Sequence, residues 1–444
     1  MAGRLASVAL AVIATVAAWS WHEPPMSVIV ITLDTTRADR LSVYGFNNAP
    51  MPGLERLARE GVVFDRATAV APLTLPAHCS VFTGLFPPAH GVRDNADGAL
   101  SQQQTTLAEI LKARGFQTAA FVGSTVLDSD RGLAQGFDYY STVPRAGSSA
   151  HSFGAAQRTA DAVMNDALQW IEAHDEKSFF AWVHLYDAHR PYEAPEPFRS
   201  RFLDPYVAEI AFADAQIARL LTALNNRHVL DRTIVVVVGD HGESLGEHGE
   251  RDHGIFVYEA SMQVPLIVRA PGLTARRVDA VVSQVDVLPT LLDLLRIPAP
   301  PGIDGVTLVP ASRGSMMVER ELYAESMYPS RFGWSPLRMV RDARLKYIDA
   351  PRPELYDLDA DPFERHDLAS QRPNVVAGMR ARLAGFAAEK PAGLPGNQPS
   401  EEAVRALASL GYSSGHAAVP SSSALDPKDF IRAFSLRQPA DTGR

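Results

Sequence analysis

Four short stretches of this sequence carry residues able to bind a metal or move a proton. The β-rich run M-S-V-I-V-I-T-L-D (26–34) ends in Asp34, and T-I-V-V-V-V-G-D (233–240) ends in Asp240, followed by His241. A third run, S-F-F-A-W-V-H-L-Y-D (178–187), ends in Asp187, with His189 shortly after. A lone aspartate after a strand is more often a turn or capping residue. Three such ends in one sheet form a constellation, because open α/β sheets bind ligands at the carboxyl ends of their strands. The fourth stretch is A-P-L-T-L-P-A-H-C-S-V-F-T-G (71–84). Thr74 precedes a segment able to start a helix, with Pro76 in its first turn. Free N–H groups and the positive end of the helix dipole would there stabilise an alkoxide, or a phosphate or sulfate group in transfer. Simple capping of the helix by Thr74 is the local alternative.

The elements that must position these residues alternate between strand and helix. Helical patterns at 54–61, 106–115, 155–173, 207–224 and 287–295 separate the strands above from others at 117–123 and 264–272. Continuous apolar strands suit a sheet covered on both faces. The pattern predicts an α/β fold, a mostly parallel central sheet sandwiched by helices, over 26–312. Shorter strand-like runs at 321–327, 337–348 and 354–358, then a helix at 374–389, predict a small C-terminal antiparallel-sheet subdomain over 318–390. Residues 391–444 read as a flexible tail with short helices.

Composition narrows the function classes. The chain has 444 residues, 46% apolar and 21% charged, with a net charge of −9 from 42 basic and 51 acidic residues. This is material for a large core, and it lacks the basic stripe that nucleic acid demands, so no nucleic-acid partner is expected. One cysteine, Cys79, excludes an intramolecular disulfide framework and any multi-cysteine metal cluster. Residues 5–19 are mostly apolar, shorter than the ~20 needed to span a bilayer, with small residues Val16-Ala17-Ala18 near the end. A cleaved signal over 1–22 is the first reading and an uncleaved N-terminal anchor the rival. Either way the protein is expected to be exported, periplasmic or extracellular, touching a membrane only through that segment. Oligomeric state is not legible.

Longer motifs carry a resemblance. L-D-T-T-R-A-D-R-L-S-V-Y-G (33–45), T-G-L-F-P-P-A-H-G-V (83–92), G-D-H-G-E-S-L-G-E-H-G (239–249), Y-E-A-S-M-Q-V-P-L-I-V (258–268), V-D-V-L-P-T-L-L-D (285–293) and E-L-Y-D-L-D-A-D-P-F-E (354–364) follow one another along most of the chain. In these the sequence resembles the sulfatase family of the alkaline phosphatase superfamily. No P-loop or dinucleotide fingerprint competes. The resemblance implies an alkaline phosphatase-like fold and hydrolysis of sulfuric or phosphoric esters, on a small-molecule, glycan or lipid anionic ester.

The departures are as informative. Sulfatases carry Cys-x-Pro-x-Arg, whose cysteine becomes formylglycine; here the stretch is T-L-P-A-H, with Thr74 for the cysteine and His78 for the arginine. Cys79 lies five residues late, outside that context, and reads as a buried small hydrophobe. No formylglycine is expected. Thr35 replaces the second aspartate of the first motif, His241 an asparagine and His253 a later lysine, and the family's G-K-W-H-type segment is absent. Fewer oxygen ligands and more imidazoles favour Zn²⁺ or Mn²⁺ over Ca²⁺ or Mg²⁺. Asp34, Thr74, Asp240 and His241 resemble the metal site of threonine-nucleophile phosphotransferases and phosphodiesterases of the same superfamily.

By that resemblance His189 and His253 face the substrate anion or hold a second metal. The expected chemistry is in-line attack by Thr74, a covalent ester, and protonation of the leaving oxygen by His189 or His253. His78, one helical turn beyond Thr74, either hydrogen-bonds the transferred anion or is structural. His184 reads as packing and His248 as solvated. Two other readings use the same residues: a phosphoethanolamine-type transferase, against which the single short apolar segment counts, and an inactive binding protein that kept the fold. The segment D-P-K-D-F-I-R-A-F (426–434) resembles linkers preceding helical-repeat domains in some relatives.

Overall fold

The computed structural model describes residues 26–96, 98–143, 157–388 and 425–436. The signal or anchor segment, the linker-like 413–423 and most of the 141–155 loop lie outside these residues. Eight strands form the main sheet in the order β4-β3-β5-β1-β6-β7-β2-β8. They are β1 Ser27–Leu33, β2 Val62–Thr68, β3 Gln117–Val122, β4 Tyr139–Ser141, β5 Phe179–Leu185, β6 Thr233–Gly239, β7 Gln263–Arg269 and β8 Arg276–Ser283. β1 is central, parallel to β5 on one side and β6 on the other. Its alternating side chains feed two cores, Val28 and Val30 one face and Ile29 and Ile31 the other. Burial on both faces is why its sequence is continuously apolar.

The predicted α/β sandwich is therefore present, with three corrections. The run at 264–272 becomes β7, which is antiparallel to both β6 and β2. β2 and β8 went unread because V-V-F-D-R-A-T and R-R-V-D-A-V-V-S mix charges into the run; they pair in parallel at the sheet edge with a shifted register. The segment 337–348 is a hairpin, β10 Leu337–Arg341 and β11 Leu345–Asp349, rather than one strand. With β9 Leu322–Ser326 and β12 Glu354–Asp357 it forms an antiparallel four-stranded sheet in the order β12-β11-β10-β9.

The helix Pro373–Ala388 covers one face of this small sheet through Val376, Met379 and Leu383, packed with Tyr323, Val340 and Tyr347. Met339 and Ile348 on the other face join the main core. Helices α1 Pro52–Glu60 and α2 Thr74–Thr83 follow the first strand. Among the described residues no helix is long and apolar enough to cross a membrane.

Candidate active site

Two neighbouring strand ends begin the site. Asp34 follows β1, its N–H bonded to Leu185 O, and Asp240 follows β6, its N–H bonded to Leu33 O. Parallel pairing of β1 with β6 thus brings the two carboxylates side by side although far apart in sequence. Thr35 takes φ 46°, an unusual conformation for a β-branched residue. Its N–H reaches Asp240 Oδ1 at 3.1 Å, and the Tyr206 hydroxyl donates to its carbonyl at 2.6 Å. His241 N also donates to Asp240 Oδ1, at 2.6 Å. One Asp240 oxygen is thus pinned by backbone, while Oδ2 is buried without a hydrogen-bond partner, as is Asp34 Oδ1.

Thr74 enters from the first residue of α2. Its side chain does not cap the helix. Asn95 does, its Oδ1 accepting from Leu75 N at 2.8 Å while its amide Nδ2 remains buried without a partner. The Thr74 hydroxyl instead lies 3.4 Å from His241 Nε2. His241 holds Nδ1 2.9 Å from Gly242 O, so Nδ1 carries the proton and Nε2 presents a lone pair. That Nε2 is 3.5 Å from Asp240 Oδ2. Ligand atoms of Asp34, Asp240 and His241 all fall within 4.8 Å of one another. The orphaned carboxylate oxygens, the lone pair and the Thr74 hydroxyl fit a divalent cation: they are converging buried acceptors, and the two carboxylate oxygens have no other partner.

The electrostatics agree. Burial favours a neutral Asp34, but the hydrogen bond and charge of His184 and the charges of His241 and His189 outweigh it and hold the group below the ordinary carboxylate range. Asp240 is pushed well up, first by burial and then by the Asp34 charge. Two adjacent buried carboxylates without a cation cannot both ionise cheaply. Burial, then the His253 charge, pushes His241 down to about 3, leaving the neutral imidazole a metal needs.

His184 is a correction to the packing expectation. Gly123 N points at its Nδ1 at 3.3 Å and its Nε2 sits 3.1 Å from Asp34 Oδ2, so it donates through Nε2 and orients Asp34. The one available signal was its place on the strand beside β1. His78 lies next door, Nδ1 on Thr74 O at 2.7 Å and 3.8 Å from Asp240 Oδ2, with Nε2 buried and unpartnered. Burial, then the neighbouring His184, pushes it down to about 3. Thr35 Oγ1 is another buried hydroxyl without a partner beside these groups.

His189 and His253 form the outer wall. Their rings are 5.1 Å apart, and His253 is 4.5 Å from His241 between centroids. They are 5% and 7% exposed whereas Asp34, Thr74, Asp240 and His241 are at zero, so the histidine side is the more open side of the cluster. His189 stacks on Tyr186 and donates Nδ1–H to Arg190 O at 2.7 Å, leaving Nε2 unpartnered. His253 directs Nδ1 at Asp252 Oδ1, 2.9 Å, and Glu243 Oε1, 3.1 Å; Tyr192 donates to the other Glu243 oxygen at 3.1 Å. Glu243 and Asp252 escaped the sequence reading because nothing in D-H-G-E or the following loop marks which acid folds back.

Two residues turn away. Asp187 accepts from Ala160 N at 2.8 Å, at the start of the helix Ala160–His174, so the third strand end supplies His189 alone. His248 is not solvated but stacked on Tyr258, centroids 3.6 Å apart. Cys79 is fully buried and its thiol is pushed well up by burial, as a small hydrophobe would be.

The family model described as Sulfatase matches residues 27–297, and that described as N-sulphoglucosamine sulphohydrolase, C-terminal, matches 246–389. The chain is 28% identical to an ulvan-active sulfatase of Formosa agariphila over 397 residues, covering 77% of this chain and 76% of that one. In fold it is similar to a phosphonate monoester hydrolase of Agrobacterium radiobacter, with TM-score 0.70 and 23% identity over 82% of this chain and 96% of that one. A structure solved with its substrate D-glucosamine-2-N,6-O-disulfate also has TM-score 0.70, with 21% identity, over 83% of this chain and 99% of that one.

Proposed function

The chain belongs to the sulfatase family, and from that premise we propose that it is a metal-dependent hydrolase of sulfate or phosphate esters with Thr74 as its nucleophile. The observation that carries the reading is the convergence of the Thr74 hydroxyl and His241 Nε2, 3.4 Å apart, with two buried carboxylate oxygens that lack partners. Asp34, Thr74, Asp240 and His241 would hold a divalent cation, Zn²⁺ or Mn²⁺ by the imidazole content of the set. When bound, such an ion lowers the pKa of the hydroxyl and neutralises charge on the ester oxygens.

Thr74 Oγ, its proton released to solvent, attacks the phosphorus or sulfur as the alkoxide; the bond from that atom to the leaving oxygen breaks, and the group is held as a Thr74 ester. The Asn95 amide, at the same helix start, donates to an oxygen of the group in transfer. His189 or His253 gives the leaving oxygen its proton, then takes one from the water that releases the group. The rings' outward position supports that role. Sulfated or phosphorylated small molecules and glycans are the substrate class, supported by the ulvan-active relative and the sulfated amino sugar bound by the structural neighbour. The apolar 5–19 segment supports export.

The test is turnover of aryl sulfate, phosphate monoester and phosphate diester with Zn²⁺, Mn²⁺ or Ca²⁺, with Thr74→Ala alongside. Activity that survives in Thr74→Ala at the wild-type rate rejects the nucleophile assignment. Dependence on Ca²⁺ alone rejects the ion.

A further inference from the structure

Residues 425–436 stand apart from both family matches, yet they dock on the catalytic body. The short helices expected in this tail are present as the turn Pro427–Asp429 and the helix Ile431–Ser435. Asp426 starts a helical turn by accepting from Lys428 N at 3.0 Å, and it also receives Arg352 N at 3.0 Å. Leu425 O accepts from Ser335 N at 2.8 Å. Phe430 stacks on Trp334 with centroids 5.4 Å apart, and Phe434 packs edge-on against Phe332 at 4.8 Å. Ile431 and Ser435 of the short helix Ile431–Ser435 are buried. A segment that buries aromatic and aliphatic side chains in this way is part of the fold.

What it covers is the loop that brings His253 to the site. Ser435 Oγ donates to Gly249 O at 2.9 Å. The Gly249 backbone, at φ +87°, lies so close to the helix that an added Cβ would meet Arg432 Cγ at 3.2 Å and Ile431 Cγ2 at 3.5 Å. Next along the chain, Glu250 ties the loop together: its carboxyl accepts from Ile255 N at 2.9 Å and from Ser244 Oγ at 3.2 Å. The aromatic floor under the tail reaches the same loop from the other side. Phe332 packs on Tyr328, whose ring would stand 3.0 Å from a Cβ at Gly254, and Ser326 Oγ donates to Gly254 O. Gly254 follows His253 directly, and Leu73, which precedes Thr74, is its other neighbour.

We propose that segment 425–436 is a strap that orders loop 246–254 and so positions His253 over the reacting group. The inference rests on the reading of His253 as a residue facing the substrate. The proposed metal-binding residues stand instead at the ends of β1 and β6 and at the start of α2. The strap therefore governs chemistry without governing metal affinity.

The experiment uses the full chain with Ile431→Asp, which places a charge in the buried contact with Gly249, and Phe434→Ala as a milder second variant. Asp429→Asn is the control: its pair with Arg352 is exposed and does not touch the loop. Amide hydrogen exchange over 246–254 should accelerate in both strap variants. kcat should fall roughly 10- to 100-fold, as a misplaced catalytic group entails, with metal affinity within about twofold of wild type. Unchanged exchange in both variants, or faster exchange with kcat within twofold of wild type, overturns the proposal. If the wild type itself turns over no ester, the proposed function falls while the exchange difference still decides whether the strap orders the loop.

Discussion

Replacing His184 with leucine removes a group that touches no substrate, and its effect follows from one distance and from burial. Nε2 donates to Asp34 Oδ2 at 3.1 Å, and both side chains are fully buried. A hydrogen bond to a charged group in such a place is worth about 1.5–3 kcal/mol, and the orphaned oxygen would have no water to replace the donor. At about 1.4 kcal/mol per tenfold change, metal affinity should weaken by roughly 10- to 150-fold, in line with the 10–100-fold typical of groups that orient a ligand. His184→Gln, which can offer an amide N–H from near the Nε2 position, should recover most of the loss. The assay is competition for Zn²⁺ or Mn²⁺ against a chelator of known affinity, read on protein whose fold is verified by circular dichroism. Leucine and glutamine variants that bind metal as tightly as wild type would refute the reasoning, since Asp34 would then need no orienting partner.

Four further outcomes are expected. Thr74→Ala should lower kcat by about 10⁴-fold or more, as loss of a nucleophile does, with bound metal still detectable by elemental analysis. Chelation should abolish turnover and lower the melting temperature, with Zn²⁺ or Mn²⁺ restoring both. Cys79→Ala should leave turnover within about twofold, and iodoacetamide should not label the native protein; loss of activity would mean the thiol has a role. Burial pushes Glu250 up to about 8 from 4.5. The folded chain keeps that proton where the unfolded chain loses it, so stability declines between these pH values as pH rises, by up to about 1.4 kcal/mol per pH unit. Glu250→Gln should remove that slope in denaturant titrations across the same range.

Much of this arrangement is legible in the sequence. Asp34, Asp240 and His241 were readable because each ends or follows a strand so apolar that it had to be buried on both faces. Thr74 was readable from the helix start beside it. What escaped were residues whose role depends on partners distant in sequence. His184 looks like any strand residue until β5 is paired with β1, and Asn95 like any turn residue until its amide meets the start of α2. Asp187 misled for the opposite reason: its local role as a helix-start acceptor won. Periodicity also could not assign direction, so β7 was found but its reversal was not, and β8 was lost because an edge strand tolerates charges on its open side.

The central position of β1 has a consequence for how the molecule is made. Its partners β5 and β6 end at Leu185 and Gly239, so β1 leaves the ribosome well before either of its neighbours exists. The Thr35–Asp240 bond that closes the site spans 205 positions. Contacts of that separation form slowly and leave apolar edges open meanwhile. Synthesis must therefore pass residue 240 before Asp34 and Asp240 can meet, and a chain cut short of that point should be a substrate for chaperones and proteases rather than a weaker enzyme.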